Sequence, residues 1–396
     1  MATSNRNWLA QGAAEIIDQA SLRRRLKSKK PLIIKLGIDP TSSQLHLGHA
    51  VVLRKLRQFQ DAGHHAHLII GDFTALIGDP SGVNKTRPVL TPSQIRANMR
   101  TYLEQAGRII NTQRARILYN SHWLRQLKLA DFIGFARQIT VNSLIEREDF
   151  GSRLRSKQSL SLHELVYSLI QAIDSVELDA DVELGGWDQR LNLLLGRELQ
   201  RKVGQLPQEI VMMKALIGTD GIKKMSSSAD NFITLTDSAD EMYGKIMRLP
   251  DALIENYGEL AAWWGEPDEV KARLKSTLKL KEQKALVASA VVKLYHNQAT
   301  ARRAESAFDQ TFRRKRVAHH LAAQIGFNQT TVDLAGAVRA ALGRGTSRSE
   351  SQRLIRQGGV SLDGVKTADP DATVDLTAER LLKIGKHRFF RLSRRR

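Results

Sequence analysis

Residues 31–38 (PLIIKLGI) constrain the fold of this chain more than any other stretch. They form a short, apolar, β-branched run that passes directly into Asp39-Pro40-Thr41-Ser42, a cluster that can turn the chain and start a helix. The segment reads as strand, loop, helix. A second such unit follows, with 66–70 (AHLII) as a buried strand and Gly71-Asp72 and the GDPSG of 78–82 as loops. Strands alternating with helical stretches predict a parallel sheet whose ligand lies at the carboxyl ends of the strands.

At 396 residues the chain exceeds what one hydrophobic core usually covers, so two or three domains are expected. The mixed pattern continues to about residue 228 and includes a helical stretch over 163–176. Beyond Asn231, long helical-period segments such as 268–297 mark a second, helical domain. From about residue 345, short helices and strands joined by Gly-Gly and Asp-Gly turns make a third module. Arg313-Arg314-Lys315-Arg316, taken alone, is read as a solvated helix face rather than a phosphate-contacting patch.

Charge supplies the first functional hint. The 61 Lys and Arg against 41 Asp and Glu leave a formal charge of +20. Such an excess suits a polyanionic partner, and equally a well-solvated basic surface, until its location is known. The absence of cysteine removes disulfides, thiolate zinc sites and cysteine nucleophiles. No apolar run is long enough to span a bilayer, and the first residues lack an apolar signal core, so a cytoplasmic protein without membrane contact is expected.

Directly after the first strand come His46-Leu47-Gly48-His49. Two histidines three apart can sit at a helix N-terminus, where backbone amides face an anion, and glycine between them allows close approach of a flat ligand. Standing alone, the pair reads as ordinary helix histidines or a metal pair. Far downstream, Gly221-Ile222-Lys223-Lys224-Met225-Ser226-Ser227-Ser228 offers ammonium and hydroxyl donors that suit a triphosphate, or simply a solvated loop. Tyr167, Gln171 and Asp174 stand at i, i+4 and i+7, on one helix face, with Leu169, Ile170 and Ile173 between them. Polar groups converging in an apolar setting must be satisfied, by neighbouring side chains for each residue taken alone, or by a bound amino acid, which suits the set better.

With HLGH at 46–49 and KMSSS at 224–228, the chain resembles the class I aminoacyl-tRNA synthetases, whose signatures are HIGH and KMSKS. LGIDPTSSQLHLGH, GDFTALIGDPSG, the YxxxQxxD of 167–174 and ELGGWDQ ending at Gln189 make it similar to the bacterial-type tyrosyl-tRNA synthetase family. A tryptophanyl enzyme of the same fold is the nearest rival, and a non-catalytic RNA-binding relative is another. The resemblance implies an α/β, Rossmann-like parallel-sheet catalytic domain over 1–230, a helical anticodon-binding-type domain over 231–335, and a small C-terminal α+β RNA-binding domain over 340–396. It also implies activation of L-tyrosine by ATP with Mg²⁺, transfer to the 3′-terminal adenosine of tRNA(Tyr), and a homodimer. No protein metal ligands are expected.

Residue roles follow from the same resemblance. Asp174 would bond the phenolic hydroxyl, while Asp79, Tyr167 and Gln171 would hold the ammonium group. Gly37, Asp39, Thr41, His46, Gly48 and His49 would line the ATP site. Asp188 and Gln189 would contact the ribose and the region near the α-phosphate, and Lys224 the pyrophosphate. Thr41, His46, His49 and Lys224 make up the expected catalytic set, acting by positioning and charge stabilisation, since the tyrosine carboxylate is itself the nucleophile. Three positions depart from the family pattern: Lys35 stands where many members have tyrosine, Ser227 replaces the second signature lysine, and Trp187 is bulkier than expected. The last module resembles a small RNA-binding domain, with Arg348, Arg353, Arg356, Lys366, Lys386 and Arg388 as expected RNA contacts, Lys383 and His387 adding charge, and Phe389 and Phe390 available to its core.

Overall fold

The structure is a computed structural model that describes residues 8–28, 30–80, 90–145, 148–276, 279–312, 323–343, 346–385 and 388–395. The chain divides into two compact units, Met1–Arg302 and Arg303–Arg396. The 313–316 basic run, Ser81 and Gly82 of the GDPSG segment, and Lys386 and His387 lie outside the described residues.

The first unit is built on a six-stranded sheet. Its strands are β1 (Ala13–Ile17), β2 (Ile33–Ile38), β3 (His65–Ile70), β4 (Arg116–Tyr119), β5 (Val182–Gly186) and β6 (Glu209–Met213), in the order β1-β6-β5-β2-β3-β4. All adjacent pairs are parallel except β1 with β6. β6 is buried along its whole length, as expected of a strand covered on both faces. From β2 the chain steps outward to β3 and β4, then returns on the other side of β2 to form β5 and β6. That reversal opens a crevice at the carboxyl ends of β2 and β5.

Two helices carry residues into this crevice. The Leu47–Asp61 helix starts at His46 and buries Leu47, Val51, Leu53, Leu56 and Phe59. The Leu162–Glu177 helix begins with a capping box in which Glu164 accepts from the backbone of Ser161 at 2.8 Å. Its Leu169 and Ile173 pack with Leu195 and Leu199 of the following Arg190–Lys202 helix. Beyond Asn231 the first unit is helical, and the 268–297 stretch is two helices, Pro267–Lys275 and Leu280–Tyr295.

The second unit has its own core of Leu334, Ala337, Val338, Ile355, Val360, Leu382 and Leu392 among others. Strands β7 (Ala323–Phe327), β8 (Thr331–Asp333), β9 (Val360–Leu362), β10 (Val365–Lys366), β11 (Thr373–Asp375), β12 (Arg380–Ile384) and β13 (Arg388–Arg394) form a five-stranded sheet, β10-β9-β12-β13-β7, and a β11-β8 pair. The unit is therefore longer than 340–396, because β7, β8 and the Leu334–Leu342 helix contribute strands and core to it. Among the described residues no helix is long and apolar enough to cross a membrane.

Candidate active site

A cavity of about 560 Å³ opens at the crevice between β2 and β5. That volume suits a compact two-part ligand. The strand ends supply Gly37 and Asp39, the loop after β2 supplies Thr41, and the helix start supplies His46, Gly48 and His49. Asp79 enters from the loop after β3, Tyr167, Gln171 and Asp174 from one helix face, Asp188 and Gln189 from the turn after β5, and Lys224 from the distant loop. Every residue expected at the tyrosine or ATP site thus faces this one space.

At one end the two signatures meet. The segment after the lysine loop runs beside the first signature, with Leu47 N–H donating to Ile233 O and Leu235 N–H to Leu45 O, both at 2.9 Å. A Cβ added to Gly48 would stand 3.0 Å from the His46 ring and 3.5 Å from Met225 O, so glycine keeps this junction open. The His46 and His49 rings stack at 3.8 Å, and His49 Nδ1 accepts from the His46 amide at 3.2 Å. Burial, their mutual proximity and the Lys224 ammonium push His46 down to about 2. Burial and Lys224 bring His49 to about 4, so both imidazoles are neutral at pH 7.

Lys224 Nζ lies 2.6 Å from Asp188 Oδ1. Burial alone would raise Asp188, but the lysine charge and hydrogen bonds override it and hold the carboxyl below its ordinary value. Ser227 Oγ approaches Ser42 Oγ at 3.4 Å, so the serine in place of a second lysine touches the loop that follows β2. Trp187 is 48% exposed with the Arg190 guanidinium 5.7 Å from its ring centroid, which accommodates its bulk outside the cavity.

The other end is a buried polar pocket. Asp174 Oδ1 accepts from Trp123 Nε1 at 2.8 Å and Oδ2 from Asn120 Nδ2 at 3.2 Å. Burial pushes this carboxyl up to about 6 against the pull of Lys35 and those two donors. Tyr167 OH donates to Asp39 Oδ2 at 3.0 Å, and Thr74 Oγ1 to Asp39 Oδ1 at 2.7 Å. Asp39 is pushed up to about 7 by burial, with Asp79 adding to the rise and the Thr74 and Tyr167 hydroxyls opposing it. Gly71 is obligatory here, since a Cβ would collide with the Asp39 carboxylate and the Thr74 hydroxyl. Gln189 Nε2 donates to Asp79 Oδ2 at 2.8 Å, and Gln171 Oε1 is a buried acceptor without a hydrogen-bond partner among the described residues. An orphaned buried acceptor facing a cavity is a group a ligand donor would satisfy.

Sequence reasoning missed Asn120, Trp123 and Thr74, and it left Lys35 without partners. Asn120 and Trp123 lie about fifty residues before Asp174 and reach it only through the sheet, so no local spacing announces them. In the second unit, Arg348, Arg353 and Arg356 are exposed on the Arg348–Arg356 helix, whose other face buries Ile355, and Lys366 and Arg388 are also exposed. Arg348 is shared with Asp333 at 3.5 Å and Asp371 at 3.8 Å. Phe390 packs on the core, whereas Phe389 lies beneath the Lys383 ammonium, 5.5 Å from its ring centroid.

A largely parallel sheet whose β2 leads into a helix that starts at His46, with Lys224 from a distant loop lining the same cavity, is the arrangement of a class I aminoacyl-tRNA synthetase. Residues 27–313 match the family described as tRNA synthetases class I (W and Y), and residues 338–395 match the S4 domain. The tyrosine–tRNA ligase of Moorella thermoacetica is 44% identical over 97% of this chain and 94% of its own length. That of Thermotoga maritima is 42% identical over 97% and 96%. The tyrosyl-tRNA synthetase of Archaeoglobus fulgidus, solved in complex with L-tyrosine, shares the fold with a TM-score of 0.61 at 24% identity, over 75% of this chain and 98% of that one. The chain belongs to the class I tRNA synthetases of the W and Y family and, within it, to the tyrosine–tRNA ligases.

Proposed function

We propose that this enzyme activates L-tyrosine with ATP, forming tyrosyl-adenylate and pyrophosphate, and then esterifies tyrosine onto the 3′-terminal adenosine of tRNA(Tyr). The observation that carries the reading is a single cavity with the Asp174 carboxylate at one end and the histidine signature with Lys224 at the other. Asp174 accepts from the phenolic hydroxyl, while Asp79, Tyr167 and Gln171 receive the ammonium group, for which the orphaned Gln171 Oε1 is suited. Gly37, Asp39, Thr41, His46, Gly48 and His49 line the nucleotide. Asp188 and Gln189 reach the ribose and the region near the α-phosphate. Lys224 exchanges its contact with Asp188 for the leaving pyrophosphate, and neutral His46 and His49 donate N–H to the developing charge. The tyrosine carboxylate attacks the α-phosphorus in line, one P–O bond forms as the bond to pyrophosphate breaks, and no proton transfer is required. Mg²⁺ enters with the triphosphate as part of the substrate.

The same reading assigns residues 1–230 to activation, the helical stretch from 231 to the end of the first unit to anticodon-arm contact, and the second unit to RNA binding through Arg348, Arg353, Arg356, Lys366, Lys386 and Arg388. A reaction consuming tRNA belongs in the cytoplasm. The enzyme works as a homodimer, supported by the Leu129–Ala136 helix, in which no residue is buried and Leu129 and Ile133 are 73% and 49% exposed. Pyrophosphate exchange tests the core of the proposal: it should require L-tyrosine and Mg²⁺ but not tRNA. Exchange driven by tryptophan and not by tyrosine refutes it.

A further inference from the structure

Beyond Gln171 the cavity contains an ion pair to which the reaction above gives no role. Lys35 on β2 and Glu183 on β5 lie 2.8 Å apart and are 1% and 2% exposed. Lys35 Nζ also donates to Ser175 Oγ at 2.6 Å and to the backbone carbonyl of Gln171 at 3.2 Å. Glu183 Oε2 accepts in turn from Ser175 Oγ at 3.0 Å and from Gln208 Nε2. Both members of the pair line the same cavity as Asp174. As a device for stability such a pair is poor, because desolvating two charges offsets most of their attraction and apolar replacements are often as stable. Its placement is specific: Lys35 grips the turn at 171–175 of the Leu162–Glu177 helix, which carries Gln171 and Asp174.

We propose that Lys35, anchored by Glu183, is a positioning residue for tyrosine recognition, fixing the turn that carries Gln171 and Asp174 and holding Asp174 as an acceptor for the phenolic hydroxyl. The inference rests on the tyrosine reading above. Each Asp174 oxygen is engaged by one donor among the described residues. The ionised group keeps a strong acceptor position on both oxygens for the substrate, whereas protonation turns one oxygen into a donor and leaves only a weaker neutral acceptor. Burial disfavours that charge, and Lys35 is the largest influence acting against burial. Glu183 faces Asp174 from β5 and opposes Lys35, and Asp39 and Tyr167 are coupled to Asp174 from the end of β2 and from its own helix. Asp79 acts on Asp39 and Tyr167 in the same sense. Without Lys35 the named acidic groups face Asp174 uncompensated, and it takes up a proton near neutral pH.

The test is Lys35→Met in the full-length enzyme, assayed by pyrophosphate exchange. The KM for tyrosine should rise by about 10–100-fold, the range of a hydrogen bond to a charged group, with the KM for ATP essentially unchanged. The tyrosine kcat/KM profile should move to higher pH, and the preference for tyrosine over phenylalanine should fall. Should the single variant melt early through the unpaired Glu183, Lys35→Met/Glu183→Gln removes both charges. It should still raise the KM for tyrosine with that for ATP spared, but with a smaller shift of the pH profile because the opposing Glu183 charge is gone as well. A folded variant with unchanged tyrosine KM, pH profile and phenylalanine discrimination overturns the proposal. So does a parallel loss toward tyrosine and ATP, which indicates a merely structural role. Failure of the unaltered enzyme to exchange with tyrosine would instead refute the proposed function.

Discussion

Asp39 and Asp174 meet the cavity as buried carboxyls raised to about 7 and about 6. A cation bound beside Tyr167 favours the ionised form of Asp39, so tyrosine binding should release protons in the window below pH 7. Tyrosine affinity is therefore expected to rise with pH through about 6–7 and level off above it. Calorimetric titration in buffers of different ionisation enthalpy measures that proton release directly, and pH-independent affinity would contradict the assignment. For the ligand-free fold the sign is opposite. A carboxyl whose folded pKa is raised contributes stability below its unfolded value, near 4, and loses it as pH rises through 6–7. Taken by themselves, these two groups lower the stability of the free enzyme as pH rises from 5 to 8, and tyrosine should reverse part of that contribution. His46 and His49, at about 2 and about 4 in the fold and near 6.5 when unfolded, act with the opposite sign over the same range, so the carboxyl contribution is read as the difference in this pH dependence between the parent enzyme and an Asp39→Asn variant. Replacing Asp174 by Ala strands the Trp123 and Asn120 donors and removes the phenol acceptor. Tyrosine kcat/KM should fall about 10–100-fold or more while phenylalanine is used nearly as before, and retained discrimination would place the phenol elsewhere.

The elements that position the site differ in how plainly the sequence announces them. β2, β3 and the Leu162–Glu177 helix follow from local pattern, a β-branched run in the first case and apolar residues at helical spacing in the last. Tyr167, Gln171 and Asp174 were therefore legible as one face, and the two signatures as one cavity by resemblance. β1 (AAEII) and β4 (RILY) are short and mixed, and they are strands because β6 and β3 offer them an edge. Lys35 looked like a gap in phenol recognition; only the return of the chain through β5 brings Glu183 to it. The lysine loop is likewise fixed by a tertiary contact: Asn231 accepts from Ser226 N–H at 2.9 Å and donates to Asp220 at 2.8 Å. Within this loop, the Lys224–Asp188 pair has a lysine 47% exposed, and such pairs contribute at most about 1 kcal/mol to stability. The same charge aimed at a leaving pyrophosphate is worth far more, of order 10²–10³ in rate. Lys224→Ala should accordingly leave the melting temperature and tyrosine affinity nearly unchanged while cutting the first-order rate of adenylate formation by that factor. Equal loss of stability and rate would show that the loop is a structural clasp.

Across the whole molecule, chemistry and RNA-binding character reside in different compact units. The described cavity-lining residues fall between Lys35 and Ser228, inside Met1–Arg302, whereas the exposed Arg348, Arg353, Arg356, Lys366 and Arg388 belong to Arg303–Arg396, which has a separate core. A truncation near Ala340, natural from the sequence, would leave β7 and β8 without β13 and β11 and expose half of that core. The informative cut falls earlier, after the Gln298–Phe312 helix, so that the helix stays whole and the second sheet is removed entire. A chain ending at Phe312 should form tyrosyl-adenylate at close to the full-length rate and charge tRNA poorly. Its affinity for tRNA should also depend less steeply on salt, by roughly 0.7–0.9 of a log-log unit for each phosphate contact removed, because every lysine or arginine withdrawn from the interface leaves counterions condensed on the RNA. Exchange, aminoacylation and the salt slope measured on one purified truncation, with its melting temperature and oligomeric state checked first, decide between two roles for the second unit. Intact exchange with weak charging and a shallower slope supports RNA recognition, while proportional loss of both activities at an unchanged slope would make the unit a support for the fold of the first.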